Sequence, residues 1–379
     1  MLTFALVMLE VFISMPMFVC GIMSVEVLLS WRQRPLPAKL WLLAWSVVAT
    51  MLYVGHYVYF HRYLTLVPFT DIVYTASNLA VYPLYLIYIY SLTECSAPRW
   101  LLWSLAFPVV MGLAVGVLYA IMPTGEVGRF IDDYLYHDQH DWLAGLSALQ
   151  YALHILAKVA FAVEVTAVVI IGTYRIRKYN GMVEQLYADT EGKALYSVQA
   201  ILWLLLCTSV ISFVVNIVGR AFFTDSPWLL AIPSLLFSVL LFMIGWEGQS
   251  QHFSVADIVQ DDTDKATEEE VAPFESVLRN RPLTLKDQLS RVMEQEQLYL
   301  NPDLKLDDLA KYLGTNRTYL LRTMNDELHM SFSEYVNRQR IAFARQLMEQ
   351  NPALSKADVA LRSGYSSLSS FYRNLKHYT

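Results

Sequence analysis

The sequence predicts an all-α fold in two parts: a seven-helix transmembrane bundle, then a soluble domain with two helix-turn-helix units. Three observations lead there. First, 55% of the 379 residues are hydrophobic, mean hydropathy is +0.36 and only 16% are charged, against about 25% charged in ordinary soluble chains. Second, charge is sparse up to Trp246 and dense after it. Third, Leu309 to Lys376 contains one small pattern twice. Ala310 and Gly314 have the same spacing as Ala360 and Gly364, and Leu320, Arg322 and Met324 recur as Phe371, Arg373 and Leu375. In each copy the alanine lets two helices cross closely, the glycine turns the chain, and the apolar i,i+4 pair seats the second helix with an outward arginine between.

A helix needs about 20 apolar residues to span a bilayer. Seven segments meet that need, near residues 3–30, 38–60, 68–92, 98–122, 146–172, 195–219 and 227–247. The first lacks a basic leader and a small-x-small cleavage site, so it reads as a span and not as a signal peptide. Orientation follows from the basic residues of short loops. With the N-terminus outside, inner loops hold Arg32, Arg34, Lys39, Arg99, Arg175, Arg177, Lys178 and Lys193, and outer loops hold Arg62, Arg129 and Arg220. The C-terminus then lies in the cytoplasm. Trp31, Trp41, Trp100, Trp142, Trp228 and Trp246 sit near span ends, as an interfacial belt requires. Pro16, Pro83, Pro108 and Pro233 are expected to kink their spans.

Ionisable groups within spans are costly and need a purpose. Here they are Glu10, Glu26, His56, Asp71, His154, Lys158 and Glu164. Two readings stay open. Glu10, His56, Asp71 and His154 could line a polar pocket open to the outer side with Lys158 at its floor, or they could pair to hold the helices together. The outer loop 123–145 holds Asp132, Asp133, His137, Asp138, His140 and Asp141. With no cysteine and no helical His-Glu-x-x-His it reads as a solvated acidic loop, and no metal site is assigned. Tyr74, Tyr82, Tyr85, Tyr88 and Tyr90 read as packing, and Cys20, Cys95 and Cys207 as small buried side chains without a disulfide framework.

The bundle, residues 1–247, is followed by a linker over 248–284. Within 254–275, Asp257, Asp261, Asp262, Asp264, Glu268, Glu269, Glu270 and Glu275 stand against Lys265 alone. It reads as flexible, and a coil of about 25 residues would span roughly 28 Å. Residues 285–379 form the last domain. Leu285, Leu289, Val292 and Met293 have helical spacing, and Asn301-Pro302 ends that stretch. A helix over 306–313 precedes Gly314, and Asn316 caps the next from Arg317. Ser331 and Glu334 open a long helix to Gln350 as a capping box, with Phe332, Tyr335, Val336, Ile341, Ala344, Leu347 and Met348 as its apolar stripe. Asn351-Pro352 ends it. Ser355 and Asp358 open another, Gly364 turns the chain, and residues 368–377 form the last helix.

The run Leu309-Ala310, Gly314, Tyr319-Leu320-x-Arg322, then Ser331-Phe332-x-x-Tyr335, Arg340-Ile341-x-x-Ala344, then Val359-Ala360-x-x-x-Gly364-Tyr365 and Phe371-x-Arg373-x-x-Lys376 resembles the AraC/XylS family of transcription regulators. The resemblance covers about residues 287–379. It implies that two recognition helices, 317–326 and 368–377, enter successive major grooves of double-stranded DNA about one helical turn apart. Carried over by position, Arg317, Thr318, Leu321 and Arg322 face DNA from the first, and Leu368, Ser369, Tyr372, Arg373 and Lys376 from the second. Leu320, Met324, Phe371 and Leu375 are core by spacing. Two departures stand out. Lys305 replaces the usual Ser or Thr cap, so that helix end is expected to fray. The chain also stops at Thr379, before the closing helix that family members carry, so the domain reads as C-terminally incomplete.

Residues 286–379 hold 13 basic and 11 acidic residues, a net of 13 − 11 = +2. DNA binding should therefore rest on a localised basic face, with a homodimer as a further expectation. No Gly-x-Ser-x-Gly, His-Glu-x-x-His, Walker A or kinase glycine loop is found, so no enzyme and no cofactor is expected. The leading expectation is a bacterial one-component transcription regulator of the inner membrane. Its bundle, set in the lipid bilayer, would sense a small-molecule or membrane-derived signal. The alternative is a transporter or channel with a regulatory DNA-binding tail.

Overall fold

The computed structural model describes residues 2–94, 96–218, 229, 231–251, 253–259 and 284–378. Cys95, Arg220, Trp228, the acidic run from Asp261 to Glu275 and Thr379 lie outside the described residues. The protein is all-helical, 81% helix, with no strand among the described residues. In chain order the elements are α1 (Leu2–Gln33), α2 (Pro37–Phe60), α3 (Val67–Thr93), α4 (Arg99–Ser104), α5 (Ala106–Ile121), α6 (Thr124–Arg129), α7 (Leu146–Leu186), α8 (Tyr196–Val218) and α9 (Ala231–Ser250). The C-terminal helices are α10 (Leu285–Glu296), α11 (Leu306–Tyr312), α12 (Arg317–Arg322), α13 (Phe332–Gln350), α14 (Lys356–Arg362) and α15 (Leu368–His377).

Two compact units divide the chain discontinuously. The first takes in Met1–Ile176 and Tyr196–Ala256, the second Arg177–Leu195 and Asp257–Thr379. In the first unit, among the described residues, six helices are long and apolar enough to cross a bilayer: α1, α2, α3, α4 with α5, α7 and α9. The expected span near 195–219 corresponds to α8, Tyr196–Val218, which counts as an apolar helix over Tyr196–Ile211 among the described residues. The fourth expected span is broken at Leu105. Pro108 has no N–H to offer the Ser104 carbonyl, so the helical ladder is interrupted at that point. Pro16 and Pro83 lie inside unbroken helices.

α2 packs between α1 and α3, α3 packs on α5, and α9 lies against α1 and α8. α3 is the most buried of the long apolar helices. Its contact with α5 depends on small residues, because a Cβ added at Gly112 would stand 2.9 Å from the Ala76 Cβ. The loop 123–145 is ordered. After α6 it forms a π-helical turn, Phe130–Tyr136, that buries Phe130, Ile131, Tyr134, Leu135 and Tyr136. The Tyr59 hydroxyl donates to the Leu135 carbonyl (2.6 Å), and the Tyr136 hydroxyl donates to the Tyr59 carbonyl (2.7 Å). Asp132, His137, Asp138, His140 and Asp141 remain exposed. The turn thus turns its aromatic side to the bundle and its charged side to solvent.

In the second unit the caps follow from side-chain chemistry. Thr284 and Asp287 form a reciprocal capping box on α10. Asn316, Ser331, Ser355 and Ser367 each accept a backbone N–H three residues on. Glu334 does not complete a box with Ser331, because its carboxylate takes the Arg338 guanidinium at 2.7 Å. At Lys305 the expected weakness is offset: Asp308 reaches back and accepts the Lys305 N–H at 3.2 Å. α12 is α-helical to Arg322 and then widens into a π-helical turn, Thr323–Leu328.

Gly314 and Gly364 both adopt positive φ, 61° and 81°. At Gly364 the turn also presses on backbone: an added Cβ would lie 2.7 Å from the Tyr299 carbonyl oxygen and 2.8 Å from the Leu300 Cα. The two demands reinforce each other, since only glycine tolerates that φ without strain. Gly364→Ala should therefore destabilise the second unit by about 2 kcal/mol or more. Thermal unfolding of the purified full chain, followed by proteolysis within residues 284–378, would show the loss. Gly125→Ala, where nothing lies within 4 Å, should leave unfolding nearly unchanged.

Candidate functional site

The two helix-turn-helix units separate core from surface along each recognition helix. Leu320, Met324 and Phe371 are fully buried, and Leu375 packs half-buried against the cluster of Ile341, Ala344, Val359, Ala360, Tyr365 and Phe371. Thr318 and Arg322 are exposed on α12, with Arg317 and Leu321 half-buried beside them. On α15, Leu368, Ser369, Tyr372, Arg373 and Lys376 are all exposed. The Arg322 side chain is 77% exposed and meets Asp326 at 3.3 Å, one turn on. Such exposed pairs are weak and exchange readily for a stronger anion. Arg317 lies 3.9 Å from Asp307 of α11. The Arg373 guanidinium donates to the Ser370 hydroxyl at 3.3 Å.

Arg340 on α13 ties the turn after α10 to Tyr365 of the second helix-turn-helix. It is fully buried, and its guanidinium donates to the Tyr299 carbonyl (2.6 Å) and the Asn301 carbonyl (2.7 Å). It also lies over the Tyr365 ring, 5.4 Å from the centroid. Burial lowers its pKa from the ordinary arginine value, while Tyr365, Asp189 and Asp303 oppose that effect. Burial likewise raises the Tyr365 phenol above its usual range.

The polar residues of the bundle fall into separate places. Asp71 is the centre of one group: its Oδ2 lies 2.9 Å from His154 Nε2 and accepts the Tyr119 hydroxyl at 2.9 Å. Glu10 pairs instead with His61, Oε2 to Nε2, at 2.6 Å. His56 is set among rings, 5.6 Å from Tyr53, 6.2 Å from Phe60 and 5.2 Å from Tyr74. A cavity of about 210 Å³ lies between α1, α2, α3, α8 and α9, with His56, Asp71, Tyr74 and Tyr82 among its lining residues. Lys158 lies elsewhere, on an exposed stretch of α7 beside Val159, Ala162 and Phe213. Of the five residues expected to share a pocket, the cavity brings together His56 and Asp71, and a hydrogen bond joins His154 to the latter.

Tyr119 and His61 were not singled out from the sequence. Each is a polar-tipped ring within or beside an apolar run, and a buried tyrosine hydroxyl ordinarily finds a partner. The carboxylates Glu10 and Asp71 were the signal that partners must exist.

Residues 309–379 match the helix-turn-helix domain family. Over 101 residues the chain is 30% identical to an uncharacterized HTH-type transcriptional regulator of Staphylococcus aureus, 26% of this chain and 13% of that protein. Over 75 residues it is 32% identical to the Msm operon regulatory protein of Streptococcus mutans, 20% of this chain and 27% of that protein. The chain thus spans a small part of the length of these curated relatives. No solved structure matches it. The C-terminal unit carries an AraC-type helix-turn-helix domain, and such a domain implies DNA binding.

Removing the Asp71 carboxylate tests whether its bonds stabilise the bundle. Asp71→Ala removes one partner each from the Tyr119 hydroxyl and the His154 ring, both of which keep a contact to Gln150, and should cost about 1 kcal/mol for each. Unfolding of the detergent-solubilised chain measures it, and an unchanged midpoint would show that neither bond contributes.

Proposed function

We propose that the chain is a membrane-embedded one-component transcription regulator and not an enzyme. The observation that carries this reading is the division of each recognition helix into a buried apolar side and an exposed side with arginine on it. Arg317, Thr318, Leu321 and Arg322 read or clamp DNA from the first unit, and Leu368, Ser369, Tyr372, Arg373 and Lys376 from the second. Arginine suits guanine edges and phosphates alike. The long apolar helices support insertion in the cytoplasmic membrane. In this reading they form seven spans over residues 1–247, with the N-terminus outside. The acidic linker over 248–284 then leads to a DNA reader over 285–379 in the cytoplasm. The named relatives are regulators, which supports this reading over a transporter or channel with a regulatory tail.

The cavity at His56 and Asp71 is the proposed seat of the signal, with Glu10, His154 and Lys158 as further polar positions of the bundle. A signal acts by favouring one of two states of the bundle, and the DNA reader answers that shift. Dimerisation on the promoter would compensate for the small net charge of the reader.

Arg322→Ala and Arg373→Ala should each cost about 1–3 kcal/mol in DNA affinity where the arginine reads a base. Genome-wide capture with the intact membrane protein supplies the duplex, and titration of each variant against it gives the cost. Unchanged affinity in both variants would remove these roles.

A further inference from the structure

Residues 177–195 are the end of α7 and the loop that leads to α8, yet they pack with the C-terminal helices in the second unit. Their tip touches three parts of the DNA reader. Tyr187 bridges Lys305 in antiparallel fashion, and the Ala188 N–H donates to the Leu304 carbonyl at 3.2 Å. The Ala188 carbonyl accepts the Ser333 hydroxyl (3.1 Å) and the Asn337 amide (3.0 Å) of α13. Beyond it, two carboxylates meet the start of α15. Asp189 accepts the hydroxyls of Ser366 and Ser370, the latter at 3.1 Å, and Glu191 accepts that of Ser367, the N-cap. Asp189 is buried, and Glu191 is half-buried.

This is the end of the helix that must approach DNA. A recognition helix places its N-terminal residues at base edges, and a helix N-terminus with free hydroxyls and N–H groups attracts phosphate. Two carboxylates already sit there and accept the three serine hydroxyls. They also repel an incoming phosphate. Asp189 reaches further through Ser370, since that hydroxyl both donates to Asp189 and accepts from Arg373. One proposed DNA-facing arginine is therefore tied to the same cluster.

We propose that residues 187–191 are an autoinhibitory strap: Asp189 and Glu191 occupy the start of the second recognition helix in place of DNA phosphate, and DNA binding requires their release. The strap rests on the DNA-reading function proposed above. The closed state lowers apparent affinity by the fraction of molecules that are open. Release is a natural point of control, because the strap belongs to the segment between two apolar helices, α7 and α8.

The test uses the full chain in lipid nanodiscs and a mixed-sequence duplex of about 30 base pairs at low salt. The double variant Asp189→Asn/Glu191→Gln should bind roughly tenfold more tightly than the parent. A control, Glu296→Gln/Glu349→Gln, removes the same charge from exposed positions on α10 and α13 and should shift affinity much less. Equal tightening in both pairs would overturn the strap. Amide hydrogen exchange on the parent chain gives a second readout that needs no variant to fold. Saturating DNA should speed exchange at residues 187–191, and bound DNA with protection unchanged there would overturn the strap while leaving the DNA reading intact. Absence of DNA binding by the parent and both variants would overturn the DNA reading, and the strap with it.

Discussion

The buried guanidinium of Arg340 is the interaction on which the C-terminal unit depends. A cation removed from water must find bonds or a counter-charge. Arg340 takes two backbone carbonyls from the turn after α10, one aromatic face from the second helix-turn-helix, and the field of Asp189 from a distant part of the sequence. The two reading units are short helices with small separate cores. Without a polar joint between them, their relative angle would rest on a few apolar contacts of α13. Directional bonds fix such an angle better than apolar packing does. The close seat of Gly364 on Tyr299 and Leu300 belongs to the same joint, since Tyr299 also presents one of the two carbonyls that Arg340 binds.

Much of the second unit was legible because its signals are local. Asn316, Ser331 and Ser355 cap the helices they precede, glycine takes positive φ at both turns, and i,i+4 spacing places Leu320 and Met324 in the core. The long apolar helices were legible for the same reason. What escaped depends on which of several partners a side chain finds. Glu334 had a cap within reach and chose Arg338, and Asp308 repaired a cap that Lys305 seemed to lack. The π-helical widening after Arg322 has no sequence mark comparable to a proline.

The polar residues of the bundle teach the same lesson in reverse. Their cost in an apolar setting made them visible, but spacing could not say which of them meet. Asp71 found His154 and Tyr119, Glu10 found His61, and Lys158 lies apart from the cavity. Depth along a helix is legible from residue number, whereas azimuth depends on how neighbours pack. Asp189 and Glu191 show the limit most clearly. In sequence they are two acidic residues of a short loop, some 177 positions from the serines they bind.

The Ala188 carbonyl carries one more consequence. It supplies an acceptor to Ser333 and Asn337, both buried on α13. Cut away from residues 187–191, the C-terminal helices would open a polar seam to water on the face that α13 presents there. In this chain the stretch 187–191 thus completes the polar surface of α13, and a fragment that begins at residue 284 would leave Ser333 and Asn337 facing water where the full chain buries them.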